Sequence, residues 1–183
     1  MTDYRRWRVD GGTYFFTIVT EQRRPWLCDD LARACLRDAI RIVRQRRPFT
    51  IDAIVLLPDH LHTVWTLPIG DSDYSTCWKL IKRRFTSAYL KSGGTEAEVN
   101  ASRQSKGERS VWQRRFFEHT VRDESDMKRC VDYVHVNPLK HGLIAKVIDW
   151  PWSSFHRYVR LGEYAPDWGN ANIWHGDEWN HYE

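Results

Sequence analysis

A chain of 183 residues, 42% apolar and 28% charged, is long enough to bury one sizeable core and somewhat short for two, and this balance excludes disorder. The net charge of +4 points only weakly to a polyanionic partner. MTDYRRWRVDGG contains no apolar signal run and no segment reaches membrane-span length, so a cytoplasmic protein with no membrane partner is expected.

In chain order, TYFFTIVT (13–20) is β-branched and aromatic, follows a Gly-Gly pair and predicts a first strand. From Asp29 to Arg47 apolar residues recur at helical spacing, with Arg33, Arg37, Arg41 and Arg44 on the outer face and Pro48 beyond the end. TIDAIVLL (50–57) and LHTVWTL (61–67) predict two strands joined at Pro58-Asp59. A second helix is predicted over 75–91, with Trp78, Ile81, Phe85 and Tyr89 on one side. The polar, glycine-containing stretch 92–110 predicts a mobile loop, and RRFFEHTVR (114–122) a further strand. A helix from about 123 to 136 is expected to close at Asn137-Pro138, because proline disfavours helix at the residue before it. The result is an α+β chain in the order β-α-β-β-α-β, a ferredoxin-like sandwich with an added C-terminal helix and an irregular tail. Residues 1–142 form one domain in this reading and 143–183 a tail packed on it.

Cys28, Cys35, Cys77 and Cys130 form no C-x-x-C pair and read as buried residues or free thiols, not a disulfide framework. Ten Trp, eight Tyr and seven Phe exceed what one core needs, so the aromatics divide between surface rings that stack on bases and a Trp-rich core.

His60 and His62, in LLPDHLHTVWTLP, share one face of a strand because side chains alternate with period two. Two imidazoles on one face can supply two metal ligands, or can be polar residues tolerated on a strand. Tyr133 and Asn137, in VDYVHVNPLKHG, are four apart and share one helix face. An amide oxygen there is an acceptable hard ligand, whereas the plain alternative is a packed aromatic and a helix-terminal Asn.

GGTYFFTIVT, RRPFTIDAIVLLPDHLHTVWTLP, VWQRRFFEHTVR, DYVHVNPLKHGLI and DWPWSSFHRY occur in one order over roughly residues 4–160. In these blocks the chain resembles the REP-associated tyrosine transposases, single-tyrosine members of the HUH endonuclease superfamily. The resemblance implies a metal-dependent single-strand DNA endonuclease and strand transferase acting on repetitive extragenic palindrome (REP) hairpins through a 5′-phosphotyrosine intermediate. It implies Tyr133 as nucleophile, and His60, His62 and Asn137 as ligands of Mg²⁺ or Mn²⁺. A monomer is expected. The stretch 92–110 departs from the family as an insertion, and the match loosens after about residue 160.

Candidate contacts to single-stranded DNA are Arg5, Arg6, Arg8, Lys79, Lys82, Arg83, Arg114, Arg115, Lys140 and His141, each of which is otherwise a solvated charge. His119 reads as a packed core histidine, with a fourth ligand or phosphate contact as alternatives. Two competing readings are a hairpin-binding protein that no longer cuts and a small-molecule metallohydrolase. The basic clusters, and the lack of a general-base carboxylate near the histidines, count against the latter.

Overall fold

Alternation along β1, Thr13–Val19, decides the layering. Tyr14, Phe16 and Ile18 point into one hydrophobic cluster while Phe15 points into another on the opposite side of the sheet. The computed structural model describes residues 8–169. After β1 come α1 (Asp30–Arg46), β2 (Thr50–Leu56), β3 (His60–Thr66), α2 (Tyr74–Lys91), a single-turn α3 (Ala101–Gln104), β4 (Phe117–Thr120), α4 (Glu124–Lys140) and α5 (Phe155–Arg160). The four strands form one antiparallel sheet in the order β2-β3-β1-β4, the ferredoxin-like arrangement.

Helices α1 and α2 cover one face over an aromatic core. Trp65 is stacked between Phe49 at 4.0 Å and Trp78 at 4.2 Å between ring centroids. Such ring pairs contribute on the order of 1 kcal/mol each beyond the area they bury. Trp26, Trp65, Trp78 and Trp112 are all buried here, so the tryptophan excess at these positions serves the core and not the surface.

Helix α4 covers the other face, where Cys130, Val131 and Val134 meet Phe15, Ala53, Val55 and Val64. Asp123 starts it, its side chain accepting from the Asp126 N–H. The expected stop at Asn137-Pro138 does not occur: α4 continues to Lys140 with Pro138 inside it. Pro138 has no N–H to give the Val134 carbonyl, but the His141 N–H donates to the Asn137 carbonyl and Leu143 N–H to that of Pro138, which carries the coil past the proline.

Three other expectations change. The 92–110 stretch is not a free loop, because Arg103 is buried and donates to the Arg109 carbonyl (2.7 Å), the Trp112 carbonyl (3.1 Å) and Glu21. The strand expected over 114–122 is confined to Phe117–Thr120. After residue 142 the chain is more regular than foreseen, with a 3-10 turn at Val147–Asp149 and α5. It lies along edge strand β2, where Leu56 N–H donates to Trp152 and Ser154 N–H to Ile54. Among the described residues no helix is long and apolar enough to cross a membrane.

Candidate active site

The β2–β3 hairpin closes tightly at Pro58-Asp59, with Leu57 N–H donating to the His60 carbonyl at 2.8 Å. His60 and His62 therefore enter β3 on the α4 side, while Leu61 and Trp65 enter the aromatic core. Both imidazoles are buried, with ring centroids 4.8 Å apart. The face of α4 that carries Tyr133 and Asn137 lies over them. The Tyr133 ring is 5.2 Å from that of His62, and His141, one turn beyond Asn137, is 5.1 Å from His60. Asn137 thus sits between the two contacts, above the histidine pair.

Each ring is held through its Nδ1. Asp59 Oδ1 lies 2.6 Å from His60 Nδ1, and Thr17 Oγ1 2.9 Å from His62 Nδ1. Burial works to raise the Asp59 carboxyl, but His60 and then Arg23, at 3.1 Å, outweigh it and bring it down to about 2. An ionised carboxylate only accepts, so His60 Nδ1 carries a proton and Nε2 is the ring atom left facing away from Asp59. His62 is held well below the ordinary imidazole range by burial first, then by the charges of His60, His141, Lys140 and Arg23.

Four buried polar atoms of these three residues have no hydrogen-bond partner among the described residues: His60 Nε2, His62 Nε2, and Asn137 Oδ1 and Nδ2. Buried polar atoms are rarely left so, and each costs on the order of 1–3 kcal/mol. Two imidazole nitrogens and an amide oxygen are donors that suit a divalent ion, so this set fits one. The fully buried Tyr133 places its hydroxyl 3.5 Å from Lys140 Nζ, and that ammonium is 5.1 Å from the ring centroid.

A second cluster has ligand-like spacing: donor atoms of His119, Asp126 and Cys130 lie within 4.8 Å of one another. Asp126, however, accepts from His119 at 2.8 Å, from Arg122 at 3.1 Å and from Arg129 at 3.0 Å. Burial, with Asp126 adding to it, pushes the Cys130 thiol up to about 12 against the pull of Arg129 and Arg122. With its carboxylate engaged by three side chains and its thiol protonated, this cluster ties β4 to α4 as a polar brace.

The basic residues divide between the two faces. Arg115 shares the Tyr133 face, together with Lys140 and His141. Lys79, Lys82, Arg83 and Arg114 line a cleft on the α2 side of the sheet, and Arg8 sits near it, donating to Ser75 at 2.9 Å. Arg5 and Arg6 lie outside the described residues. A cleft of about 800 Å³ between α1 and Pro151–Ser154 contains none of the histidines or Tyr133. Asp59, Thr17 and Arg23 escaped the sequence reading. Asp59 looked like a turn former and Thr17 like one more β-branched strand residue.

Residues 8–137 match the family model described as transposase IS200 like. The chain is 43% identical over 168 residues to the REP-associated tyrosine transposase of Escherichia coli K12, covering 92% of this chain and 91% of that one. The chain belongs to the REP-associated tyrosine transposases. A Haemophilus influenzae protein bearing the same family name is 41% identical over 170 residues, with 92% of this chain and 94% of that one covered. A solved REP-associated tyrosine transposase bound to a REP hairpin superposes with a TM-score of 0.75 at 41% identity, covering 92% of this chain and 91% of that one. The protein is a tyrosine transposase of the HUH nuclease group, a membership that implies a divalent metal ion.

Proposed function

We propose that this transposase binds REP hairpins and cleaves and rejoins single-stranded DNA beside them, with Tyr133 as nucleophile. The observation that carries the reading is the approach of Tyr133 on α4 to within 5.2 Å of His62, ring to ring, with His60 beside it on β3 and Asn137 buried one turn along the same helix face. In this reading His60 Nε2, His62 Nε2 and Asn137 Oδ1 hold Mg²⁺ or Mn²⁺, and Asp59 and Thr17 fix the rings so that both Nε2 lone pairs face inward. The ion, when bound, supplies charge withdrawal from the scissile phosphate.

The Tyr133 oxygen bonds to phosphorus, its proton passing to solvent, and the bond from phosphorus to the 3′ oxygen breaks. That oxygen leaves as a free 3′-hydroxyl and the 5′ side stays on the tyrosine. The reverse attack by a 3′-hydroxyl rejoins strands without ATP. Lys140, whose ammonium faces the Tyr133 oxygen, favours negative charge there. Arg8, Lys79, Lys82, Arg83, Arg114, Arg115 and His141 contact the DNA backbone. In this reading a monomer is the working unit, acting on DNA in the cytoplasm. Residues 1–142 hold the nuclease centre and 143–183 are appended to it.

The test is a labelled REP hairpin with unpaired flanks, incubated with Mn²⁺ and resolved on a denaturing gel. A covalent adduct is expected with the native chain, and none with Tyr133→Phe, which still binds the hairpin. Absence of any adduct with the native chain leaves a hairpin-binding protein that does not cut. Full cleavage by the His60→Ala, His62→Ala double variant refutes the metal assignment.

A further inference from the structure

Beside the His62–Thr17 contact, on the same face of the sheet, a cleft of about 490 Å³ opens between β1 and the approach to β4. Its walls include Thr17, Val19, Arg23, Gln113, Arg115 and Phe117. We propose that this cleft holds the unpaired nucleotide flanking the scissile phosphate, with Arg23 and Arg115 on its phosphate, Phe117 against its base and Gln113 reading the base edge. The inference rests on the cleavage reading above and assigns that reaction a subsite.

Three observations carry it. First, the cleft adjoins the candidate centre, because Thr17 lines the cleft and also touches His62 Nδ1. A strand seated in it runs on to Tyr133. Second, its chemistry is that of a nucleotide: two guanidiniums for a phosphate, an aromatic ring, and a side-chain amide that can both donate and accept at a base edge. The Arg115 side chain is exposed, and that of Arg23 is 48% exposed although it pairs with Asp59. Both therefore keep donors for a ligand.

Third, Arg23 is deliberately held. Gln22 and Arg23 take φ values of 56° and 50°, a left-handed conformation unfavourable for residues with side chains. The loop keeps it because Thr20 Oγ1 donates to the Asp59 and Arg24 carbonyls, and Arg103 grips Glu21 from the other side. Backbone strain maintained by locks on both sides places Arg23 at the rim of the cleft, beside the carboxylate that orients His60. On the opposite wall Gln113 is fixed as well, its N–H donating to Val19 and its carbonyl accepting from Lys82.

The test uses Tyr133→Phe chain, so that the DNA stays uncut, and a REP hairpin carrying 2-aminopurine in the nucleotide next to the expected cleavage point. The same hairpin without its unpaired arm is the control. The 2-aminopurine emission is expected to be quenched on binding. Arg115→Glu should lower affinity for the armed hairpin about tenfold and flatten its salt dependence by about one ion, with Arg115→Lys close to the parent. Affinity for the armless hairpin should fall several-fold less than that for the armed one. Gln113→Ala should alter the preference among bases at that nucleotide. Equal affinity of Arg115→Glu for the armed hairpin, or no base-dependent change in Gln113→Ala, overturns the assignment. Failure of the cleavage reading is separate: it appears as absence of a Tyr133 adduct in the native chain, whatever the binding data show.

Discussion

Asp59→Ala tests whether the carboxylate beside His60 orients a ligand. At 2.6 Å from Nδ1 it fixes which ring nitrogen faces the carboxylate and holds the ring plane, and without it the imidazole turns more freely. Loss of such an outer partner typically costs about 10- to 100-fold in metal affinity or activity, equivalent to about 1.4–2.7 kcal/mol. The other partner of Asp59 matters less. The Arg23 side chain is 48% exposed, so that ion pair contributes at most about 1 kcal/mol. Asp59→Ala should therefore raise the Mn²⁺ concentration for half-maximal adduct formation by one to two orders of magnitude, and Asp59→Asn, which can still accept from Nδ1, by less. Calorimetric Mn²⁺ titration should show the same shift, and circular dichroism an intact fold. An unchanged Mn²⁺ dependence in a folded Asp59→Ala protein would refute the role given to this carboxylate.

Lys140→Ala should slow adduct formation about 10- to 100-fold with little change in Tm, and Lys140→Arg should recover part of the rate, as single-turnover gels would show. Lys82 offers a pH test. Burial, then Arg103, lower its ammonium from 10.5 to about 8 despite the opposing pull of Glu21. Its folded pKa is depressed, so it costs stability below about pH 8, a cost that fades as pH rises towards 10.5. Lys82→Met should gain about 1–2 kcal/mol at pH 7 after loss of its hydrogen bond to Gln113, less at pH 10, measured by urea unfolding, while hairpin affinity falls. Arg103→Ala removes the anchor of the 92–110 segment and should cost about 2–4 kcal/mol, with protease sensitivity appearing within that segment. Saturating Mn²⁺ at about 100 times its Kd should add about 2.7 kcal/mol to the native chain and nothing to the His60→Ala, His62→Ala variant.

The fold was readable because each element carries its own periodicity. The alternation in TYFFTIV and HLHTVWT, and the apolar spacing of α1 and α2, agree with the layers found. Reading was weakest where a local rule met a tertiary contact. Pro138 should end a helix, yet packing of Val136 on Val147 and Phe155 draws α4 onward. Arg103 looked solvated within a polar run, and its burial depends on Glu21, more than eighty residues away by sequence. The candidate site was half legible. His60 with His62, and Tyr133 with Asn137, follow from periods of two and about four. That the two pairs face each other depends on which side of the sheet α4 covers, which no short-range spacing encodes. Arg114 and Arg115 show the same limit: both precede β4, and only the fold places Arg115 in the cleft with Thr17 and Arg114 in the one beside α2.

The two faces of the sheet answer different demands. On β3, Leu61 and Trp65 lock into an apolar layer of stacked rings, while His60 and His62, one position away, face the α4 side, where with Asn137 they leave four buried polar atoms without a hydrogen-bond partner among the described residues. A site with that many unsatisfied groups is costly to hold open, and the cost is tolerable only if the elements around it cannot collapse inward. β3 is held by strands on both sides and by the aromatic layer beneath it. α4 is held from outside, by Val147 and Phe155 against Val136 and by His135 Nε2 at 2.9 Å from Ser154 Oγ. Ser154 in turn accepts from the Ile54 N–H, and Trp150 donates to the Leu56 carbonyl, so one short segment grips α4 and β2 together. Residues 143–169 bring no candidate ligand, yet they fix the distance between the helix bearing Tyr133 and the sheet bearing the histidines. Substitutions at Ser154 or Trp150 therefore act on the centre through its spacing, from more than one contact away.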